Sequence, residues 1–156
     1  MEEVQRLERT AERPEHRAMQ LSLKLMLYCG VRPTEVTRLN PQRDIVGDEL
    51  IIRPATSKTG GGRVVPLRKV ATFIRRHRDC LVIPPRWEQR WRALRRAARF
   101  RTWRADVCRH TFASYHARRF KNLPALQAEM GHRDAGLLRS RYVTAGCGNG
   151  EDYWES

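Results

Sequence analysis

Five side chains able to hold charge or move protons recur along this sequence in a fixed order. Arg32 lies in Gly30-Val31-Arg32-Pro33-Thr34-Glu35, at a predicted helix start with an acid one turn on. Lys58 lies in Ser57-Lys58-Thr59-Gly60, on the tip of a predicted hairpin. Arg109 opens the run Arg109-His110-Thr111-Phe112-Ala113-Ser114-Tyr115, early in a predicted helix. His132 follows Met130-Gly131, just beyond a predicted helix end, and Tyr142 comes ten positions later. These are the types that strand transfer at a DNA phosphate requires. A nucleophile attacks phosphorus, cations hold the non-bridging oxygens as negative charge builds, and an acid protonates the departing 5′-oxygen. Arginine suits the oxygen clamp, because its planar fork grips two oxygens and keeps its charge. Lysine and histidine suit the acid, because either gives up a proton. A phenol is a weak nucleophile while its pKa stays near about 10, so a reactive tyrosine needs cations around it.

The elements that must position these groups can be read from periodicity. A polar helix is predicted from Glu2 to Ala11, stopped near Pro14. A buried helix is predicted from His16 to Tyr28, where Met19, Leu23, Met26 and Leu27 recur at helical spacing. Gly30 then suits a left-handed cap. Pro33 suits the first turn of a further helix, ending before Asn40-Pro41. Two β-rich runs, Glu49 to Arg53 and Arg63 to Leu67, flank the loop that holds Lys58. Helices are predicted from Lys69 to Arg78, from Trp87 to Phe100, from about Asp106 to Arg118, from Leu126 to Met130, and over Leu137 to Tyr142. The fold class is therefore α+β, mostly α-helical, with a small antiparallel sheet.

Composition narrows the partner. The 156 residues suit one domain with its own core. A formal net charge of +14 favours polyanions, nucleic acid first and an anionic membrane surface second. No run approaches the roughly 18 apolar residues of a membrane span. The Met1-Glu2-Glu3 start lacks the basic opening of a signal peptide. Cys29, Cys80, Cys108 and Cys147 show no metal-ligand spacing and read as reduced thiols in a cytoplasm.

Taken together, the chain resembles the catalytic domain of tyrosine recombinases, the class of phage integrases and Xer-type resolvases. The resemblance rests on Gly30, Arg32 and Glu35 in a G-x-R-x-x-E pattern, and on Lys58 in a T-K-T-G-like hairpin. It rests further on Arg109 to Ser114 in an R-H-T-F-A-S-like helix, on Gly131-His132, and on Tyr142. It implies that Tyr142 forms a 3′-phosphotyrosine, that Arg32 and Arg109 hold the phosphate, that His132 hydrogen-bonds it, and that Lys58 protonates the leaving oxygen. It implies double-stranded DNA as partner, no cofactor and no metal, a monomer in isolation and a homo-tetramer on DNA. The expected setting is cytoplasmic and nucleoid-associated, in a bacterium or phage-derived element. A C-terminal segment of such proteins docks on a neighbouring subunit, and Gly146 to Trp154 is the candidate here. Residues 1–156 are expected to form the catalytic domain alone, without the N-terminal clamp domain, as a fragment or a minimal member. Asp106 departs from the pattern, standing where the family carries a histidine. Two readings stay open for it, a helix N-cap or a proton acceptor between the two arginines. Two functional rivals also stay open, a type IB topoisomerase-like cleavage activity and a DNA-binding module whose catalytic set has decayed.

Other residues carry plainer expectations. Glu35 should support Arg32 or the fold. Arg63 should be an exposed strand residue, and His110 should pack against a helix or the core. Tyr28, Tyr115 and Tyr153 should be core aromatics. The stretch from Arg86 to Arg104 should turn tryptophans inward and arginines toward water or DNA phosphates.

Overall fold

The computed structural model describes residues 1–57, 60–78, 81–131 and 151–155. Its axis is α2 (Gln20–Tyr28), in which Leu21, Leu23, Leu25, Met26, Leu27 and Tyr28 are all buried. A helix apolar around most of its surface belongs inside a domain, and its one charge, Lys24, is paired with Glu8 at 3.2 Å. It is surrounded by α1 (Glu2–Ala11), α3 (Pro33–Val36), α5 (Val70–Arg76) and α7 (Val107–Phe120). Each large apolar side chain so buried contributes about 1.5–3 kcal/mol relative to exposure. The helix predicted from His16 is split, with a 3₁₀ turn at Arg17–Met19 leading into α2. No helix among the described residues is long and apolar enough to cross a membrane.

The predicted helix after Pro33 is shorter than expected. It stops at Val36, and a separate turn, α4 (Pro41–Asp44), follows. Asn40 causes the break. Its side-chain oxygen accepts the Gln42 and Arg43 amides at 3.1 and 3.3 Å, so a new N-terminus is capped at that point. A two-residue strand, β1 (Ile45–Val46), then pairs with β2 (Glu49–Ile52), which pairs with β3 (Arg63–Pro66). Both pairings are antiparallel, and Leu50 lies opposite Val65 with both wholly buried.

Helix α6 (Trp87–Ala97) divides its faces as expected. Trp87, Trp91 and Leu94 are buried, and the Trp87 indole donates to Ser22 Oγ at 2.9 Å. Arg92 and Arg96 face outward, and Arg86, Arg99, Arg101 and Arg104 around the helix are exposed too. Helix α8 (Leu123–Met130) is capped by Asn122 and ends at Gly131 in a left-handed conformation. The C-terminal turn Glu151–Glu155 closes the core of its own chain. Tyr153 there is wholly buried, stacked on Tyr115 at 4.2 Å and tilted against Tyr28 at 4.9 Å. The helix predicted over Leu137 to Tyr142 lies outside the described residues, as do Gly146 to Gly150 of the tail.

Gly30 joins the two halves of the candidate site. Its φ is +62°, and a Cβ added there would lie 2.8 Å from Phe112 Cε1 and nearer still to Cδ1. Gly30→Ala therefore adds a left-handed penalty of about 1–2 kcal/mol to overpacking of about 1–3 kcal/mol. The expected Tm is lower by about 4–20 °C in a thermal melt. A fall confined to the roughly 2–8 °C of the left-handed penalty alone would show that Phe112 moves aside freely.

Candidate active site

The site is built around one carboxylate. Glu35 is wholly buried, and each of its oxygens accepts two hydrogen bonds. Arg63 grips it with both ends of its guanidinium, at 2.9 and 2.6 Å. The Arg32 amide donates at 3.0 Å, closing the α3 turn as in a capping box. Arg32 Nη1 adds a fourth bond at 3.3 Å. Burial pushes the Glu35 carboxyl up, but the bonds and charge of Arg63, then of Arg32, outweigh it and hold the group at about 2.

Arg109 stands behind this pair. It is 3% exposed, placed there by the inward face of α7, which also carries Phe112, Ala113 and His116. Its two terminal nitrogens donate to the carbonyls of Gly30 and Met130, joining the Arg32 turn to the end of α8. Burial, then the charges of Arg32 and Arg63, push Arg109 down to about 9, so it stays protonated at neutral pH. Arg32, Arg63 and Arg109 face a single Glu35, leaving two positive charges uncompensated, or one when nearby Asp106 is counted. Such a cluster can receive an anion, because a bound anion would relieve the excess positive charge.

The Arg32 side chain, 14% exposed, is the group that reaches solvent. It opens on a cleft of about 320 Å³ that Pro33, Thr34, Trp103 and Asp106 also line. Two larger clefts, of about 560 and 610 Å³, lie by α4 and by the Pro84-Pro85 loop and contain none of the candidate residues. Charge and proton chemistry, not volume, locate the site.

Asp106 occupies the N-cap position of α7 but does not cap it. Its backbone is left-handed, φ +59°, whereas a side-chain cap needs an extended residue to aim its oxygen at the next amides. The carboxylate is thus left beside Arg109 and Arg32. Of the sequence-predicted residues, the structure brings Arg32, Arg109 and Asp106 together. Lys58, His132 and Tyr142 lie outside the described residues.

Two expectations are corrected. Arg63 is not an exposed strand residue, since its side chain is 5% exposed and bound to Glu35. β-Strand alternation explains it. Arg63 lies on the same face as buried Val65, opposite Ile52. His110 is exposed, because it sits about 100° round the helix from Arg109. The core histidine of α7 is His116, one turn beyond Phe112. Its Nε2 lies 3.6 Å from Glu129, which Arg68 also holds through bonds of 2.6 and 2.8 Å. Cys29 and Cys108 are buried, and burial pushes both thiols up to about 12, so neither serves as a nucleophile.

Neither a family model nor a curated protein sequence matches the chain. Solved structures do. The crystal structure of XerA recombinase superposes with a TM-score of 0.68 over 99% of this chain, at 18% identity. The Tn1549 transposon integrase, solved in complex with a circular intermediate DNA, superposes with a TM-score of 0.66 over 97%, at 16% identity. The chain has the tyrosine-recombinase fold. It spans 62% of the length of each of these two chains. Within the recombinase fold, the mostly helical body and the small antiparallel sheet are as the sequence led one to expect.

The buried carboxylate makes a measurable prediction. Glu35 drops from its ordinary 4.5 to about 2 on folding. A depressed carboxyl stabilises the fold above its unfolded pKa, and that stabilisation is lost as pH falls through the folded value. The shift corresponds to about 3 kcal/mol, lost progressively between pH 4.5 and 2. Melts from pH 6 to 2 should show Glu35→Gln already destabilised at pH 6 and less sensitive to acid than the wild type. Parallel curves would mean that Glu35 is not held ionised.

Proposed function

We propose that this domain is a DNA strand-transfer enzyme of the tyrosine-recombinase type. The observation that supports it most is the buried cluster of Arg32, Arg63 and Arg109 around Glu35, with positive charge in excess. In this reading the scissile phosphate meets Arg32 at the cleft, with Arg109 behind it. The Tyr142 oxygen attacks phosphorus, a P–O bond to tyrosine forms, and the bond to the 5′-oxygen breaks. Lys58 supplies the proton to that leaving oxygen. His132 donates a hydrogen bond to the phosphate, and Asp106 stands as acceptor for the phenol proton. A second 5′-hydroxyl then reverses the step, so the phosphodiester is conserved and no ATP is consumed. The partner is duplex DNA, engaged in a tetrameric synapse and held by the exposed arginines around α6.

The experiment is a nicked suicide duplex incubated with the protein, followed by a denaturing gel. The expected result is a protein band shifted by covalent DNA. Duplex binding should weaken steeply with salt, because a +14 domain binds chiefly by releasing counterions. Salt-dependent binding with no adduct, even after fusion to a clamp domain from a related recombinase, would favour the second reading, a decayed DNA-binding module. Asp106, in place of a histidine, is the observation on that side.

A further inference from the structure

We propose that Arg63 is a positioning residue for the phosphate clamp, tying together three segments that the strand-transfer reading needs. Its activity readout rests on that reading. Arg63 belongs to β3, the strand that returns from the hairpin loop containing Lys58. It spends three donors on two other segments. Nη1 and Nη2 hold Glu35, and Glu35 in turn holds the amide and guanidinium of Arg32. Nε donates to the Glu129 carbonyl at 2.7 Å, while Arg109 takes the adjacent Met130 carbonyl. The last carbonyls of α8, its negative end, are thus gripped by two arginines side by side.

Gly131 shows how closely this grip is made. A Cβ there would meet Arg63 Cδ at 3.2 Å and Nη1 at 3.3 Å, on a backbone with φ +60°. The Arg63 side chain therefore passes directly over the turn that leads on to His132. With its side chain 5% exposed and three nitrogens engaged within the protein, Arg63 is built to hold, whereas the more exposed Arg32 is built to touch a ligand. A lysine in its place has one nitrogen and cannot bind both carboxylate oxygens and a carbonyl in this geometry.

The test uses the full chain, R63K, and a paired R63Q–E35Q variant. Single-turnover cleavage of the nicked duplex is measured at saturating DNA, alongside duplex affinity. The NMR signals of the Gly131 amide and the Arg109 Nε–H are followed in parallel. R63K should cleave about 10–100-fold more slowly, the scale of a clamp misplaced by about an ångström. Its Kd for the duplex should stay within about twofold, because the charge is kept. The Gly131 signal should move, and the Arg109 proton should exchange about tenfold faster. A folded R63K that cleaves at the wild-type rate overturns the proposal. A slow R63K with unmoved signals also overturns it, since Arg63 would then act by direct contact. If the wild type forms no adduct, strand transfer fails as a function and the spectra decide alone. Unmoved signals then reject the positioning role, and displaced ones uphold it. Should R63K not fold, the paired variant carries the same readouts, because it removes one positive and one negative charge together and leaves the net charge of the cluster unchanged.

Discussion

Tyr142→Phe should abolish covalent capture of DNA while leaving the fold and duplex binding unchanged. The substitution removes one oxygen, the atom that would attack phosphorus, and hardly alters packing. Loss of a nucleophile costs on the order of 10⁴-fold or more in rate, which on a denaturing gel is the disappearance of the adduct. The structure makes this test sharp, because the chain has four tyrosines and three are committed elsewhere. Tyr28 donates to Glu8 at 2.9 Å within the core. Tyr115 stacks against Tyr153. Tyr153 is wholly buried, donates its hydroxyl to the Leu27 carbonyl, and is pushed well above the ordinary tyrosine range by burial. A buried phenol with a raised pKa is the opposite of an activated nucleophile. An adduct that persists in Tyr142→Phe would therefore sink the assignment of the nucleophile and would require the core around Tyr153 to open.

Arg109→Lys should reduce cleavage by about 10²–10³-fold, the loss seen when one preorganised donor to a developing oxyanion is removed. Charge is kept, so duplex affinity should change by less than about threefold. The structure adds an effect on stability. Arg109 satisfies the carbonyls of Gly30 and Met130 together, and a single ammonium can reach only one of them. The other carbonyl is left buried without its partner, at a cost of about 1–3 kcal/mol. Tm should fall by about 2–10 °C, and cleavage should be compared well below the lowered Tm. A variant that is less stable yet cleaves at the wild-type rate would make Arg109 a structural bridge only.

The two tests separate roles that overlap in the fold. Tyr142 should matter to chemistry alone, Arg109 to chemistry and stability together. Asp106 differs from both. Its side chain neither caps α7 nor joins the Glu35 network through a hydrogen bond in the structure, yet it stands beside the arginines. A carboxylate there lowers the excess positive charge, which fits a proton acceptor and opposes a simple phosphate contact.

Much of this protein was legible in its sequence, because the relevant signals are local. Apolar spacing marked α2, glycine marked the left-handed position at 30, and two β-rich runs marked the strands β2 and β3. The resemblance to tyrosine recombinases implied that Arg32 and Arg109 share one phosphate, and the structure brings both to one cluster. What the sequence left open was the burial of polar side chains. Arg63 follows the same alternation that buries Val65, but an arginine faces inward only if something awaits it, and Glu35 lies 28 residues away. His116 follows the same helical phase as Phe112, and its partner Glu129 comes from another helix. Asp106 looked like a cap because capping is a local pattern, yet a left-handed backbone, set by the turn before α7, aims it elsewhere. Periodicity assigns a residue to a face. Whether a charge survives on the inward face depends on partners from distant segments, because burying an unpaired charge costs more than folding can supply. That pairing exists only in the tertiary structure, and it turned Arg63 from an expected surface residue into the grip on the clamp.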